Sequence, residues 1–306
     1  MQKIFRRYEV WPRFPTISMS GNACALHCKH CDHQYLSDMH SCITPKDLLD
    51  QCRQFTEQKA VGVLLSGGCD KHGKMLNLEH LIPTIEAIKN ETDLIIKLHT
   101  GLVDRHLAEG IVSAGVDIAS LEVVGDNHTI REIFDFSATI SSYQHSLEYL
   151  HEAGMSHIVP HVCIGLHYGK IKGETQALQI IQQSCDPSCL VMIVFRPTKH
   201  TAMEHCPPPA SADVGTVVSE AHQLFPKVDI ALGCIRPRTT NRDAIEQAAV
   251  DAGVTRMELP SKKTISYVQQ KGFTLKTIHA CCALPSIYEQ QAEDTITQRL
   301  HAHSHP

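Results

Sequence analysis

Residues 16–31 read TISMSGNACALHCKHC. The β-branched start suits a short buried strand over 16–20, and Gly21 with Asn22 breaks it. Cys24, Cys28 and Cys31 then follow on one loop with the spacing C-x3-C-x2-C. A strand that hands directly to a ligand-rich loop fits a parallel α/β protein, where working residues gather beyond the C-terminal ends of the strands.

Outward from that stretch the same rhythm repeats. Strands are expected at 16–20, 61–65, 94–98, 118–124, 158–165, 190–195, 229–233 and 255–259, all short and rich in Val, Ile and Leu. Strands apolar on both faces belong in buried parallel sheets. Amphipathic helices are expected between them at 44–57, 78–90, 104–114, 143–153, 175–185, 212–225, 242–252 and 262–271. Thr44 before Pro45 is a helix cap followed by proline at the first helical position. Gly115 and Gly154 stop two other helices. Strands alternating with helices in this number predict an α/β fold of the (β/α)8 TIM-barrel type, with a doubly wound open sheet as the alternative. The barrel, including a C-terminal Cys281-Cys282 segment, is expected to occupy 1–290 and a flexible tail 291–306.

Composition narrows the function. The chain has 306 residues, 42% hydrophobic and 20% charged, which excludes disordered and collagen-like chains. Its longest apolar run, 190–195, falls far short of the ~18 residues a membrane span needs. The start, MQKIFRRYEVWPRFP, has basic residues but no apolar core or cleavage site, so no signal peptide is read and a cytoplasmic protein with reduced thiols is expected. Net charge −5 and 5% aromatics argue against a nucleic-acid partner held by charge or by base stacking. The 13 cysteines and 21 histidines stand out. Packed thiols account for about half of the cysteines; the others call for metal, cluster or redox chemistry.

Three thiolates on one short loop can bind three irons of a [4Fe–4S] cube and leave the fourth iron open to a small ligand, whereas most electron-transfer clusters use four cysteines. A structural zinc site completed by His27, His30 or His33 is the second reading, and unrelated thiols the third.

With this motif straight after the first barrel strand, the chain resembles the radical S-adenosylmethionine (SAM) superfamily. The resemblance implies that Cys24, Cys28 and Cys31 hold the SAM-cleaving [4Fe–4S] cluster. Ser66, Gly67 and Gly68 resemble the glycine-rich loop whose backbone meets the SAM amino group, with Cys69 where the family usually has Glu. Glu122, in SLEVVGD, matches a polar residue at the SAM ribose. Gly165, opening GLHYGK, matches a segment beside adenine, and His30 replaces an aromatic that commonly touches adenine.

The closer likeness is to the biotin synthase and lipoyl synthase branch. FRPTKHTAM (195–203) and GCIRPR (233–238) resemble its sixth- and seventh-strand segments, and Arg236 or Arg238 matches an arginine near a sulfur-donating cluster. The set SGGCDKHGK, HTGLV, VVGD, GLHYGK, GCIRPR and CCAL resembles uncharacterised biotin-synthase homologues and the archaeal-type two-component lipoyl synthases, to about Leu284. That branch implies sulfur insertion into an unactivated C–H bond of an octanoyl group on a carrier protein. It also implies a ferredoxin or flavodoxin reductant, a sister radical SAM subunit, and a second Fe–S cluster for which Cys234, Cys281 and Cys282 are the candidates. Other radical SAM chemistry, methylation or rearrangement, is the alternative; a non-catalytic metal-binding or assembly protein is the third.

His99, His161 and His167 are expected to point toward the barrel mouth, as hydrogen-bonded barrel residues or as substrate contacts. Lys170, Lys172, Lys199, Lys262 and Lys263 lie near the proposed mouth; solvated surface is the plainer reading, an acidic carrier the sharper one. Cys69 and Cys163 are reserve ligands. Cys185 and Cys189 precede a strand and so fall on the opposite face. His301, His303 and His305 in the tail carry no assigned role.

Overall fold

Apolar runs separated by amphipathic helices bury both faces most readily as parallel strands under a layer of helices. The computed structural model, which describes residues 3–238 and 241–293, has that arrangement. The strands are β1 (Lys3–Tyr8), β2 (Thr16–Ser18), β3 (His40–Ser41), β4 (Gly62–Ser66), β5 (Ile95–His99), β6 (Ile118–Ser120), β7 (His161–Ile164), β8 (Cys189–Val194), β9 (Asp229–Leu232), β10 (Arg256–Glu258) and β11 (Phe273–Ile278). The helices are α1 (Pro45–Glu57), α2 (Leu78–Glu91), α3 (Arg105–Ser113), the short α4 (Asn127–Thr129), α5 (Ile140–Glu152), α6 (Glu174–Ser184), α7 (Ser211–Leu224), α8 (Arg242–Asp251) and α9 (Lys262–Gln270). Caps are where the sequence puts them: Thr44 Oγ1 accepts from the Asp47 N–H at 3.1 Å, an arrangement worth ~1 kcal/mol.

All ladders between these strands are parallel. One sheet runs β3-β2-β4-β5-β6 and the other β11-β1-β10-β9-β8-β7. Backbone bonds join them at one seam: the N–H groups of Val159 and His161 donate to Ala119 and Leu121, and that of Val123 donates to His161, each at 2.8 Å. The expected strands are therefore neighbours in chain order, β2-β4-β5-β6-β7-β8-β9-β10. A doubly wound sheet would reverse that order partway; this winding is the barrel's.

Three strands were not expected. β1 and β11 extend the β10 edge, with β1 between them. Their sequences, KIFRRY and FTLKTI, mix charge with apolar residues, so neither reads as a buried run. β3 is only two residues long. The cysteine loop thus follows the first strand of the run of eight, which is the second strand of the chain.

After β11 the chain turns back inside the curved sheet. Glu289 accepts from Arg6 and Tyr8 of β1 and from Arg256 of β10. Tyr288 reaches Asp117 just before β6, and Cys281 reaches Lys97 of β5. Only a segment lying across the interior meets both walls. Asp117 and Arg256 lie at the N-terminal ends of the strands, so residues around 284–291 close the end opposite the cysteine loop. Ala280, Ala283, Leu284 and Ala292 are fully buried. Packed structure therefore runs to at least Ala292; 294–306, with His301, His303 and His305, lie outside the described residues. Among the described residues no helix is long and apolar enough to cross a membrane.

Candidate cluster and cofactor site

The end of β2 and the end of β4 are side by side, and Ser20 clamps the loops that leave them. Its hydroxyl accepts from the Gly68 N–H at 2.7 Å and donates to the Ala23 carbonyl at 2.9 Å. The Cys69 N–H points at Cys24 Sγ, 3.3 Å away. This approach needs Gly68: a Cβ there would lie 2.1 Å from the Ala23 oxygen and 2.5 Å from Cys24 Cβ. Both the N–H and the C=O of Gly68 are engaged within the protein, whereas the Gly67 carbonyl receives no backbone N–H among the described residues.

The other cysteines face the same space. The ligand atoms of Cys28, His30 and Cys31 lie within 4.8 Å of one another. A Cys28–Cys31 hydrogen bond, with help from His30, holds the Cys31 thiol down to about 4 against burial, and it pushes Cys28 up. Cys24 and Cys69 are close enough to Cys28 to raise it further by charge. Burial pushes the Cys69 thiol up to about 12.

Two buried polar atoms beside this loop have no protein partner: His30 Nδ1 and Glu122 Oε1. Glu122 stands just beyond β6, bridged to His161, and burial raises its carboxyl, with the His30 charge opposing. His30 is opposed by burial too, yet the Cys31 and Glu122 charges raise it net. Unpartnered buried acceptors and donors are rare and each needs a reason. A polar group placed between the cysteine loop and β6 would satisfy both.

A clip fixes the outer edge of the loop. Lys29 Nζ donates to Glu132 Oε1 at 2.6 Å and to Tyr168 Oη at 3.1 Å, and Tyr168 donates to the same carboxylate at 2.6 Å. The Lys29 and Tyr168 bonds hold the Glu132 carboxyl near about 2. Tyr35, behind the cysteines, bonds Thr198 of the FRPT segment at 2.7 Å. That segment braces the cysteine loop.

Other expected residues are engaged within the protein. The Gly165 N–H is taken by Glu174 Oε1 at 2.8 Å. Arg236 is fully buried, and its guanidinium is shared among Glu246, Glu258 and the carbonyls of Gly233, Glu258 and Leu259. It touches no open space, so it acts here as a positioning residue for the GCIRPR loop rather than a group reaching a reacting atom. Arg238 donates to the Cys234 carbonyl at 3.1 Å. Cys185 and Cys189 are both buried, Cys185 at the end of α6 and Cys189 at the N-terminal start of β8, away from the cysteine loop.

Cys281 and Cys282 adjoin in sequence, and Cys234 is near enough for its charge and theirs to act on one another. Cys234 has exposed surface, yet burial pushes its thiol up and Cys281, Glu258 and Lys97 act on it. Cys282 is buried beside Cys281 and feels the Cys234 charge. Their sulfurs do not close within 4.8 Å as the first group does. Lys97, buried beside Cys281, was missed. Its sign in the sequence is the single charge inside the apolar strand LIIKLH, residues 94–99.

No family model matches the chain, and no curated protein matches it in sequence. Solved structures match its fold. The FeFe-hydrogenase maturase HydG from Carboxydothermus hydrogenoformans is 14% identical with a TM-score of 0.65, the match covering 97% of this chain and 73% of that one. Methylornithine synthase, PylB, is 16% identical at a TM-score of 0.59 over 85% and 73%. An HMG-CoA lyase from Brucella melitensis is 8% identical at 0.54 over 97% and 99%. The fold is thus a parallel α/β barrel shared by a maturase, a synthase and a lyase, so the chemistry has to be read from the site.

Proposed function

We propose that this chain is a radical SAM enzyme. The observation that carries the reading is the three-cysteine loop at the strand ends, flanked by two buried polar atoms, His30 Nδ1 and Glu122 Oε1, that the protein leaves unpartnered. The donor set fits the group: Cys24, Cys28 and Cys31 would hold a [4Fe–4S] cluster, and the SAM site would lie among His30, Ser66, Gly67, Gly68, Glu122 and Gly165. Bound there, the cluster and SAM would supply reductive carbon–sulfur cleavage and, through it, radical chemistry able to attack an unactivated C–H bond. The chain's own part is to hold, aim and exclude. Gly68 permits the close approach of two loops, the Lys29–Glu132–Tyr168 clip fixes the cysteine loop, and the barrel wall keeps out water.

The substrate reading is sulfur insertion into an octanoyl group on a carrier protein. Its support is the nearness of Cys234 to Cys281 and Cys282, where a second Fe–S cluster would serve as sulfur source and the Lys97 cation would offset thiolate charge. Ferredoxin or flavodoxin is the proposed reductant, and a sister radical SAM subunit the proposed partner. One observation favours other radical chemistry on the same cluster: Arg236, the expected neighbour of a sulfur-donating cluster, is walled into ion pairs. Another favours a non-catalytic zinc protein: Cys28, His30 and Cys31 already lie within ion-binding distance of one another.

Metal and sulfide analysis of anaerobically reconstituted protein separates these readings. About eight irons per chain supports sulfur insertion, about four supports a single cluster and other chemistry, and zinc without iron supports the third. Incubation with SAM, dithionite and an octanoyl-lysyl peptide then tests the substrate: thiolated peptide is the expected product.

A further inference from the structure

The loops that leave β6 and β7 interlock through two glycines. A Cβ on Gly125 would lie 2.2 Å from the Gly173 oxygen, and one on Gly173 would lie 2.7 Å from Asp126 Cβ. This contact brings Asp126 and His128 of the first loop against His167 of the second. A carboxylate oxygen and one nitrogen of each imidazole lie within 4.8 Å of one another. The two rings are 5.2 Å apart, centre to centre.

Hydrogen bonding settles which nitrogen of His167 is free. Asp126 Oδ2 accepts from both the N–H and the hydroxyl of Thr129, each at 2.7 Å. The Thr129 hydroxyl has then spent its only proton, so it must accept at its contact with His167 Nδ1, 3.1 Å away. Nδ1 therefore carries the ring proton and Nε2 the lone pair. A carboxylate that orients an imidazole through a hydroxyl is the kind of outer support that metal-binding histidines receive. Burial first, and the Lys172 charge next, keep the ring below its ordinary protonation range. The Lys172 ammonium, 3.5 Å from Asp126 Oδ2, is the positive charge now facing the carboxylate. Glu132 adds a nearby negative charge, itself committed to Lys29 and Tyr168.

We propose that Asp126, His128 and His167 form a second metal site, separate from the cysteine loop, that takes a divalent transition ion such as Zn2+ or Fe2+. Two imidazoles and one carboxylate suit ions of that borderline hardness and are poor hosts for Mg2+ or Ca2+. Three protein ligands leave further positions on the ion for water or for an anionic oxygen of a ligand at the barrel mouth. The ion replaces Lys172 as the counter-charge of Asp126.

Equilibrium dialysis of the full-length protein against Zn2+, with metal analysis, tests the site. Wild type is expected to hold one equivalent of zinc more than His128→Gln and His167→Gln each do, whatever the cysteine loop takes up, with circular dichroism unchanged. Thr129→Val, which keeps shape and removes the hydroxyl, is expected to weaken that equivalent by roughly ten- to a hundredfold. Lys172→Met is expected to tighten it, an effect that a purely structural lysine would not produce. Equal zinc uptake by wild type and both histidine variants overturns the proposal, as does weaker binding in Lys172→Met.

Discussion

The ammonium of Lys97 lies 3.5 Å from the sulfur of Cys281, tying the middle of β5 to the segment that closes the barrel. Lys97 is only 2% exposed, and no carboxylate pairs with it among the described residues. A buried ammonium needs an anion, and the thiolate is the one within reach. A hydrogen bond from Cys282, then the Lys97 charge and the Ala283 N–H, bring the Cys281 thiol down to about 5 despite burial. Lys97→Met removes the charge and keeps the bulk. In metal-free protein at pH 7, alkylation of Cys281 by iodoacetamide is expected to slow by about tenfold or more, because less thiolate is present. Peptide mass spectrometry reads the rate; an unchanged rate would show that Lys97 does not hold the thiolate.

Gly67 and Gly68 should respond differently to the same added methyl group. A Cβ at Gly67 meets its nearest atom, Ser20 Oγ, at 3.2 Å, whereas at Gly68 it would overlap the Ala23 backbone. Gly68→Ala is therefore expected to push the cysteine loop aside and to cut iron uptake on reconstitution to a small fraction of wild type. Gly67→Ala should keep most of it. Equal iron content in the two variants would mean that the close approach does not matter for loading.

His99 gives the fold an acid sensitivity of calculable sign. Burial, then the Lys97 charge, hold its pKa down to about 3, and His161, its ring 5.1 Å away, is lowered for the same reasons. Between about 3 and the ordinary ~6.5 the unfolded chain binds a proton that the folded chain refuses. Stability therefore rises with pH through that window and is lost as pH falls, by at most ~1.4 kcal/mol per unit for each group. Melting temperature should drop from pH 7 to pH 5, and His99→Gln should flatten the slope. A variant with the wild-type slope would remove His99 as a cause.

Arg236 is expected to matter for stability before activity. Its guanidinium neutralises Glu246, which is 0% exposed at its side chain, and faces Glu258 at 3.5 Å. Arg236→Met removes the fully buried cation between those carboxylates and leaves only the partly exposed Arg242 on Glu246 and Arg238 on Glu258, at a cost of about 3–5 kcal/mol. Urea unfolding should show a loss of that size; a change below ~1 kcal/mol would point to a network that Arg238 and Arg242 can satisfy without it.

The run of eight strands and the cysteine loop were legible in the sequence because both are local patterns. A buried parallel strand announces itself by apolar residues on both faces, and three thiols within eight residues have one loop to share. Glu122, inside the strand expected at 118–124, was singled out only by the resemblance of SLEVVGD to a family segment. Lys97, and the ion pairs that enclose Arg236, were not legible, for a common reason: what these side chains touch lies on other elements. Cys281 lies 184 residues from Lys97, and Glu246 and Glu258 lie 10 and 22 residues from Arg236. β11 escaped notice because a strand at the end of a sheet keeps polar residues that a buried-strand pattern rejects, and β1, just inside it, because Lys3, Arg6 and Arg7 interrupt its apolar pattern.

The central claim is that Cys24, Cys28 and Cys31 present an iron with a vacant position to SAM. Electron paramagnetic resonance of the dithionite-reduced, anaerobically reconstituted protein tests it most directly, recorded before and after SAM is added. The account predicts a reduced [4Fe–4S] signal whose g-values move on addition of SAM, with 5′-deoxyadenosine formed in the same tube, and no such signal in a Cys28→Ala variant. A spectrum indifferent to SAM, or zinc in place of iron at those three cysteines, would contradict it.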